Sequence, residues 1–256
     1  MTILDDFKLD GRVALVTGAG RGLGQALAVG LAEAGADVAV LDVVPLDETR
    51  EQVSALGRRC QTLSYDLLGA DAGLADKIVS ECASELGRLD ILVNNAGIIR
   101  RAPALELGEA DWEDVISINL TSLFYLSQAA ARQFAEQGGG GKIINLASVL
   151  SFSGGVVVPS YAAAKAGVAN LTRALANEWA PLGINVNAIA PSYFSTSMTS
   201  ALRSDAERGE ALLVRIPAGR WGEPEDLKGA VVYLASDAAS YVHGITIPVD
   251  GGWLAR

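Results

Sequence analysis

Three side chains near the middle of the chain have the types and spacing of a proton-transfer site: Ser148, Tyr161 and Lys165. A tyrosine and a lysine four residues apart share one helix face, one turn from each other. An ammonium beside a phenol favours the phenolate, so a side chain with an ordinary pKa of roughly 10 can trade protons nearer neutral pH. A serine hydroxyl thirteen residues earlier, at the end of an apolar strand, can hydrogen-bond the same substrate oxygen. The set suits moving a proton on and off a carbinol oxygen. A Tyr-x-x-x-Lys pair also occurs on ordinary solvated helix faces, so the reading depends on the elements around it.

Those elements alternate. Arg12–Thr17, Asp37–Leu41, Cys60–Tyr65, Leu89–Val93, Lys142–Ala147, Ile184–Ile189 and Ile245–Val249 read as strands. Between them, Gly22–Ala34, Asp47–Leu56, Leu74–Leu86, Trp112–Gln137, Tyr161–Ala180 and Glu225–Ala235 read as helices. Residues 192–216 are polar and mixed, as in a lid. The pattern predicts an α/β fold, a Rossmann-like doubly wound parallel sheet of about seven strands with helices on both faces. No linker, repeat or low-complexity stretch interrupts it, so one domain over residues 1–256 is expected.

A glycine loop, Gly18-Ala-Gly-Arg21-Gly22-Leu23-Gly24, follows the first strand and opens a helix. Its spacing differs from the general Gly-x-Gly-x-x-Gly fingerprint, but the physics is the same. Glycines admit a pyrophosphate close to the backbone, and the helix start offers free N–H groups. Asp42, at the end of the second strand, can accept both ribose hydroxyls of NAD and would repel the 2′-phosphate of NADP. Arg21 pulls the other way, since a guanidinium there can reach that phosphate; the two can also pair with each other. Asp66, followed by Leu67, stands after the third strand, where it can meet the adenine or simply cap a turn. NAD is the expected cofactor, with NADP second.

The chain has 256 residues and a net charge of −10, which disfavours nucleic acid and anionic membranes as partners. No apolar run reaches a membrane span, and residues 1–10 lack a signal-peptide pattern. Cys60 and Cys82 give no metal spacing and suit a reduced, cytoplasmic setting.

These residues together resemble the short-chain dehydrogenase/reductase family. Thr17–Gly24, Asn94-Asn95-Ala96-Gly97, Asn119, Ser148 and Tyr161-x-x-x-Lys165 match its motifs in order and spacing. The resemblance implies NAD(P)-dependent interconversion of an alcohol and a carbonyl. It makes Tyr161 the acid/base and Ser148 the group that orients substrate. Lys165 would lower the Tyr161 pKa and hold the nicotinamide ribose, and Asn119 would anchor a relay water. Asn95, Ala96 and Gly97 would line the adenosine-ribose side, and Pro191 and Thr196 would meet the carboxamide and phosphates. One departure is Pro191-Ser192 where the family usually has Pro-Gly, which puts the lid conformation in question.

Further segments, among them Asn95–Arg101, Ile216–Gly222 and Val249–Arg256, resemble the 2-dehydro-3-deoxy-D-gluconate 5-dehydrogenases of uronate (pectin) breakdown. The implied substrate is a deoxy sugar acid, which needs a cation and short polar groups near the Ser–Tyr pair. Arg100 and Arg101 are candidates for its carboxylate, with one of them expected to reach it. Ser151, Ser153 and Ser160 are candidates for its hydroxyls, and Tyr193 and Phe194 for closing over the site. Gluconate 5-dehydrogenase, 3-oxoacyl carrier-protein reductase and a non-catalytic NAD-binding regulator are the competing readings. Apolar faces on Trp112–Phe134 and Ala162–Trp179, with the family resemblance, imply a homotetramer in which the tail Trp253–Arg256 reaches a neighbour's site.

Overall fold

The computed structural model describes residues 2–256. Seven strands form one parallel sheet in the order β3-β2-β1-β4-β5-β6-β7. They are β1 Val13–Thr17, β2 Asp37–Leu41, β3 Cys60–Leu63, β4 Ile91–Asn94, β5 Gly141–Leu146, β6 Ile184–Pro191 and β7 Thr246–Val249. Parallel strands buried on both faces require near-continuous apolar runs, and β1, β4 and β6 are buried at every position. Along β1 the pleat divides the core. Ala14 and Val16 pack with helices α1 (Gly22–Glu33) and α9 (Lys228–Ala235), while Val13 and Leu15 pack with α3 (Ala72–Leu86) and α5 (Ser122–Gln137).

Local chemistry sets the helix limits. The Asp71 carboxylate accepts from the Leu74 amide to start α3, and Gly87 ends it at φ 90°. Helix α6 (Pro159–Trp179) opens with proline, whose missing N–H costs nothing there. Its buried residues include Ala164, Lys165, Val168, Ala169 and Thr172, one stripe that carries Lys165 toward the sheet.

Two helical readings change. The predicted helix Trp112–Gln137 begins earlier, as α4 (Glu109–Ile116), and is broken from α5 by one turn of π-helix at Ser117–Thr121. That turn re-aims Asn119 into the fold, a placement such bulges often serve. The polar stretch after β6 holds two helices, α7 (Ser200–Ser204) and α8 (Ala206–Arg215).

The C-terminal tail is anchored on its own chain by Trp253. Trp253 is buried in its own chain, its ring tilted against that of Tyr193 with centroids 4.8 Å apart, and the Arg215 guanidinium lies 4.1 Å above it. Arg256 donates to the Val214 carbonyl at 2.5 Å. The tail therefore clamps the end of α8.

Candidate active site

Because the chain runs from β1 outward to β3 and then returns to β4, the strand order reverses between β1 and β4. Open α/β sheets bind ligands outside the strand ends at such a point. A cleft of about 550 Å³ lies there, within the usual range for a ligand site. Its lining brings together Gly18, Arg21, Gly22, Leu23, Gly24, Asp42, Asp66, Leu67, Asn95, Ala96, Gly97, Arg100, Asn119, Ser148, Tyr161, Lys165, Pro191 and Thr196. Arg101, Ser151 and Tyr193 are not part of that lining.

The glycine loop has no room for side chains. A Cβ on Gly24 would stand 2.0 Å from the Gly18 carbonyl oxygen, and one on Gly20 would stand 2.5 Å from a Val44 methyl. Asn95 locks the loop: its amide donates to the carbonyls of Thr17 and Gly18, both at 2.9 Å. The Thr17 hydroxyl in turn accepts from the amides of Asn95 and Ala96. The Asn95 side chain thus shapes the pocket, and its amide is not free for a ribose. At Gly22 the nearest neighbour is the Thr196 methyl, 3.6 Å from a built Cβ, so the start of α1 faces open cleft. A backbone cradle at a helix N-terminus fits a pyrophosphate.

Asp42 does not pair with Arg21. Its carboxylate accepts from the amides of Gly20 at 2.9 Å, Val43 at 2.7 Å and Val44 at 3.3 Å. Arg21 makes no ion pair among the described residues. Asp66 lines the cleft and accepts from the Leu68 amide in a turn.

At the other end, Ser148 sits just past β5. Its hydroxyl accepts from the Leu150 amide at 3.1 Å, which leaves its proton free to donate. It stands close enough to the Tyr161 phenol to pull the phenol pKa down. The Arg101 charge acts in the same direction, but burial outweighs both and pushes Tyr161 up to about 12. Lys165 is 4 % exposed, and burial pushes it down to about 8. Its ammonium donates to the Leu146 carbonyl at 2.6 Å and lies 5.7 Å from the Tyr161 ring centroid. Burial and the bond to the Leu146 carbonyl anchor the lysine at the end of β5.

The Asn119 amide donates to the carbonyls of Ile98 and Val115 at 2.9 Å, while its own carbonyl oxygen is buried without a partner. Such an orphan acceptor suits a bound donor. Arg100 lines the cleft, tied to Asp111 and Asp114 at 3.3 Å each. Arg101 makes no ion pair among the described residues and donates to the Met198 carbonyl of the lid at 3.3 Å.

Several substrate candidates fall elsewhere. The Ser151 hydroxyl is spent inside the fold, donating to the Lys165 carbonyl at 2.6 Å. Ser153 donates to the Val149 carbonyl, and Ser160 is fully buried. Tyr193 packs against Trp221 and Trp253 and lines a second cavity of about 250 Å³. Phe194 touches both cavities. Ser192 needs no glycine-like backbone, since Val157 (φ 60°) is the one non-glycine residue with positive φ among the described residues. Lining residues that sequence reasoning missed include Val43, Val44, Ile98 and Met198; only their adjacency to Asp42, Gly97 and the lid could have signalled them.

The fold and this arrangement define a dinucleotide-dependent oxidoreductase. Residues 18–254 match the family model for enoyl-(acyl carrier protein) reductase, and the chain belongs to the short-chain dehydrogenase/reductase family. It is 56 % identical to the 2-dehydro-3-deoxy-D-gluconate 5-dehydrogenase of Escherichia coli over 99 % of this chain and 100 % of that one. Its counterpart in Dickeya dadantii is also 56 % identical, with the same coverage. A gluconate 5-dehydrogenase from Burkholderia cenocepacia, solved with NADP and tartrate, superposes with a TM-score of 0.93 at 40 % identity, covering 100 % of both chains. The cofactor is a nicotinamide dinucleotide.

Proposed function

We propose that the chain interconverts 2-keto-3-deoxygluconate and the corresponding 3-deoxy-2,5-diketohexonate, with NAD(H) as its dinucleotide, in uronate breakdown. The observation that carries this is the convergence of Ser148, Tyr161 and Lys165 with the glycine cradle in one cleft. The names of the two 56 % identical relatives supply the substrate class. Gly18, Arg21, Gly22, Leu23, Gly24, Asp42 and Thr196 would hold the dinucleotide, which supplies the hydride chemistry. Tyr161, protonated at neutral pH, donates to the keto oxygen in reduction, and the Ser148 hydroxyl stabilises the charge that develops there. Lys165 fixes the tyrosine's turn of helix, and the Asn119 carbonyl accepts from a water or ligand group. Arg101, outside the cleft lining but near enough for its charge to act on Tyr161, takes the substrate carboxylate, because Arg100 is already paired with two aspartates.

Asp42 favours NAD, since its carboxylate stands where a 2′-phosphate would need a cation. NADP in the Burkholderia relative and in a structure from Agrobacterium tumefaciens at 53 % identity supports the competing choice, with Arg21 as the cation. Following NADH absorbance with 2-keto-3-deoxygluconate and NAD, beside gluconate and NADP, decides both points. Turnover confined to gluconate, or to NADP, overturns the corresponding half of the reading. The chain is further read as a cytoplasmic homotetramer of one-domain subunits. Exposed Trp112, Tyr241 and Ile245 support the assembly, and a single-chain mass in solution would remove it.

A further inference from the structure

The segment between β5 and α6 holds a hydroxyl that no substrate role explains. Ser151 stands at the end of the short 3-10 turn Val149–Ser151, for which Ser148 is the N-cap. Two hydrogen bonds meet on its Oγ. It accepts from the Ser148 backbone amide at 3.2 Å and donates to the Lys165 backbone carbonyl at 2.6 Å. The first ties the turn back onto Ser148, whose hydroxyl acts on the Tyr161 phenol. The second crosses to the helical turn that carries Tyr161 and Lys165. A serine offers one donor and two acceptor sites, so both bonds can hold at once.

We infer that Ser151 is a positioning residue that sets the separation of Ser148 from the Tyr161–Lys165 turn of α6. The other ties between them run through side-chain tips or through the connecting chain. The intervening chain passes through Gly154, Gly155 and Val157, which stands at φ 60°, a conformation sparsely occupied by β-branched residues. Lys165 anchors to the Leu146 carbonyl on β5, which fixes the lysine's tip and not Ser148. Ser151 is the hydrogen-bonded link from the Ser148 backbone to the α6 backbone. Without it, the Ser148 amide loses a partner and the strand end can shift against the helix. A misplacement near 1 Å in a reacting constellation costs on the order of 10²-fold in rate. The serine does not touch substrate, so the loss belongs in kcat rather than in dinucleotide affinity.

This inference rests on the proposed dehydrogenase activity. The test compares wild type, Ser151→Ala and Ser151→Thr on whichever of 2-keto-3-deoxygluconate or gluconate the wild type oxidises. NADH affinity is read by fluorescence and folding by the thermal midpoint. The expected result is a fall in kcat of about 10- to 100-fold in the alanine variant. NADH affinity should stay within about 2-fold, and threonine should recover most of the loss, since it keeps the hydroxyl. An alanine variant with kcat within 3-fold of wild type overturns the inference. So does a threonine variant as slow as alanine while both bind NADH normally, because the hydroxyl is then not what matters. Loss of NADH binding together with a collapsed midpoint would also overturn it, assigning Ser151 to general folding. A wrong substrate shows in the wild type itself, whereas a wrong role for Ser151 shows only in the ratios between variants.

Discussion

Replacing Arg101 with glutamine should separate substrate recognition from surface charge. Arg101 makes no ion pair among the described residues, and its guanidinium donates to a neutral carbonyl, that of Met198. A substrate carboxylate competes well for such a group, because charge-assisted hydrogen bonds are roughly twice as strong as neutral ones. Hydrogen bonds to charged partners contribute about 1.5–3 kcal/mol. At about 1.4 kcal/mol per tenfold, Arg101→Gln should raise KM for the sugar acid by about 10- to 100-fold. Arg100 presents the opposite case. Its two bridges are 3.3 Å long and the guanidinium side chain is 42 % exposed, so each is worth at most about 1 kcal/mol. Arg100→Gln should leave KM within about 3-fold. The Arg101 charge also lowers the Tyr161 pKa, so its removal should raise that pKa further, which favours the protonated phenol. In reduction the loss should therefore fall on KM rather than kcat. Steady-state kinetics on the two variants, with carboxylate and carboxamide forms of the same substrate, check the argument. A KM that rises in Arg100→Gln and stays unchanged in Arg101→Gln would refute it.

Further outcomes follow from the same geometry. Tyr161→Phe should lower kcat by about 10² or more, with NADH binding retained by fluorescence titration; near-normal turnover would end the proton-donor role. Gly24→Ala should abolish dinucleotide binding, because its methyl would lie 2.0 Å from the Gly18 carbonyl oxygen; calorimetry that still detects NADH would count against the cradle. Lys165 is depressed to about 8 by burial. The folded state therefore binds fewer protons than the unfolded state between that value and the ordinary lysine range near 10.4. The cost of its buried charge is full below pH 8 and is relieved as pH rises through this window. A Lys165→Met variant should flatten that contribution in denaturant melts taken from pH 7 to 10; an unchanged pH slope would contradict the burial assignment.

The strands were readable because a parallel sheet covered on both faces demands apolar runs, and Val-Ala-Leu-Val at 13–16 is such a run. The glycine loop and the Ser148–Tyr161–Lys165 set were legible through spacing, since local geometry ties them to strand ends and helix faces, whereas Asn119 was legible only through the family resemblance. The partners of polar groups were not legible. Sequence offered Arg21 as a mate for Asp42, but three backbone amides hold the carboxylate, and amides carry no residue identity. The π-turn at 117–121 escaped because one inserted residue barely disturbs a helical hydrophobic pattern, although it decides where Asn119 points. The packing of Trp253 within its own chain was not legible either, because its cation–π partner Arg215 lies 38 positions away on α8. Ser151 was the subtlest case. Its type and its nearness to Ser148 suggested contact with substrate, but both of its hydrogen bonds run to backbone atoms. A hydroxyl beside an active site is therefore as readily part of the frame as of the pocket. What separates the two is whether its donor and acceptor sites are already used by the fold, and that is a property of the packed chain rather than of the residue.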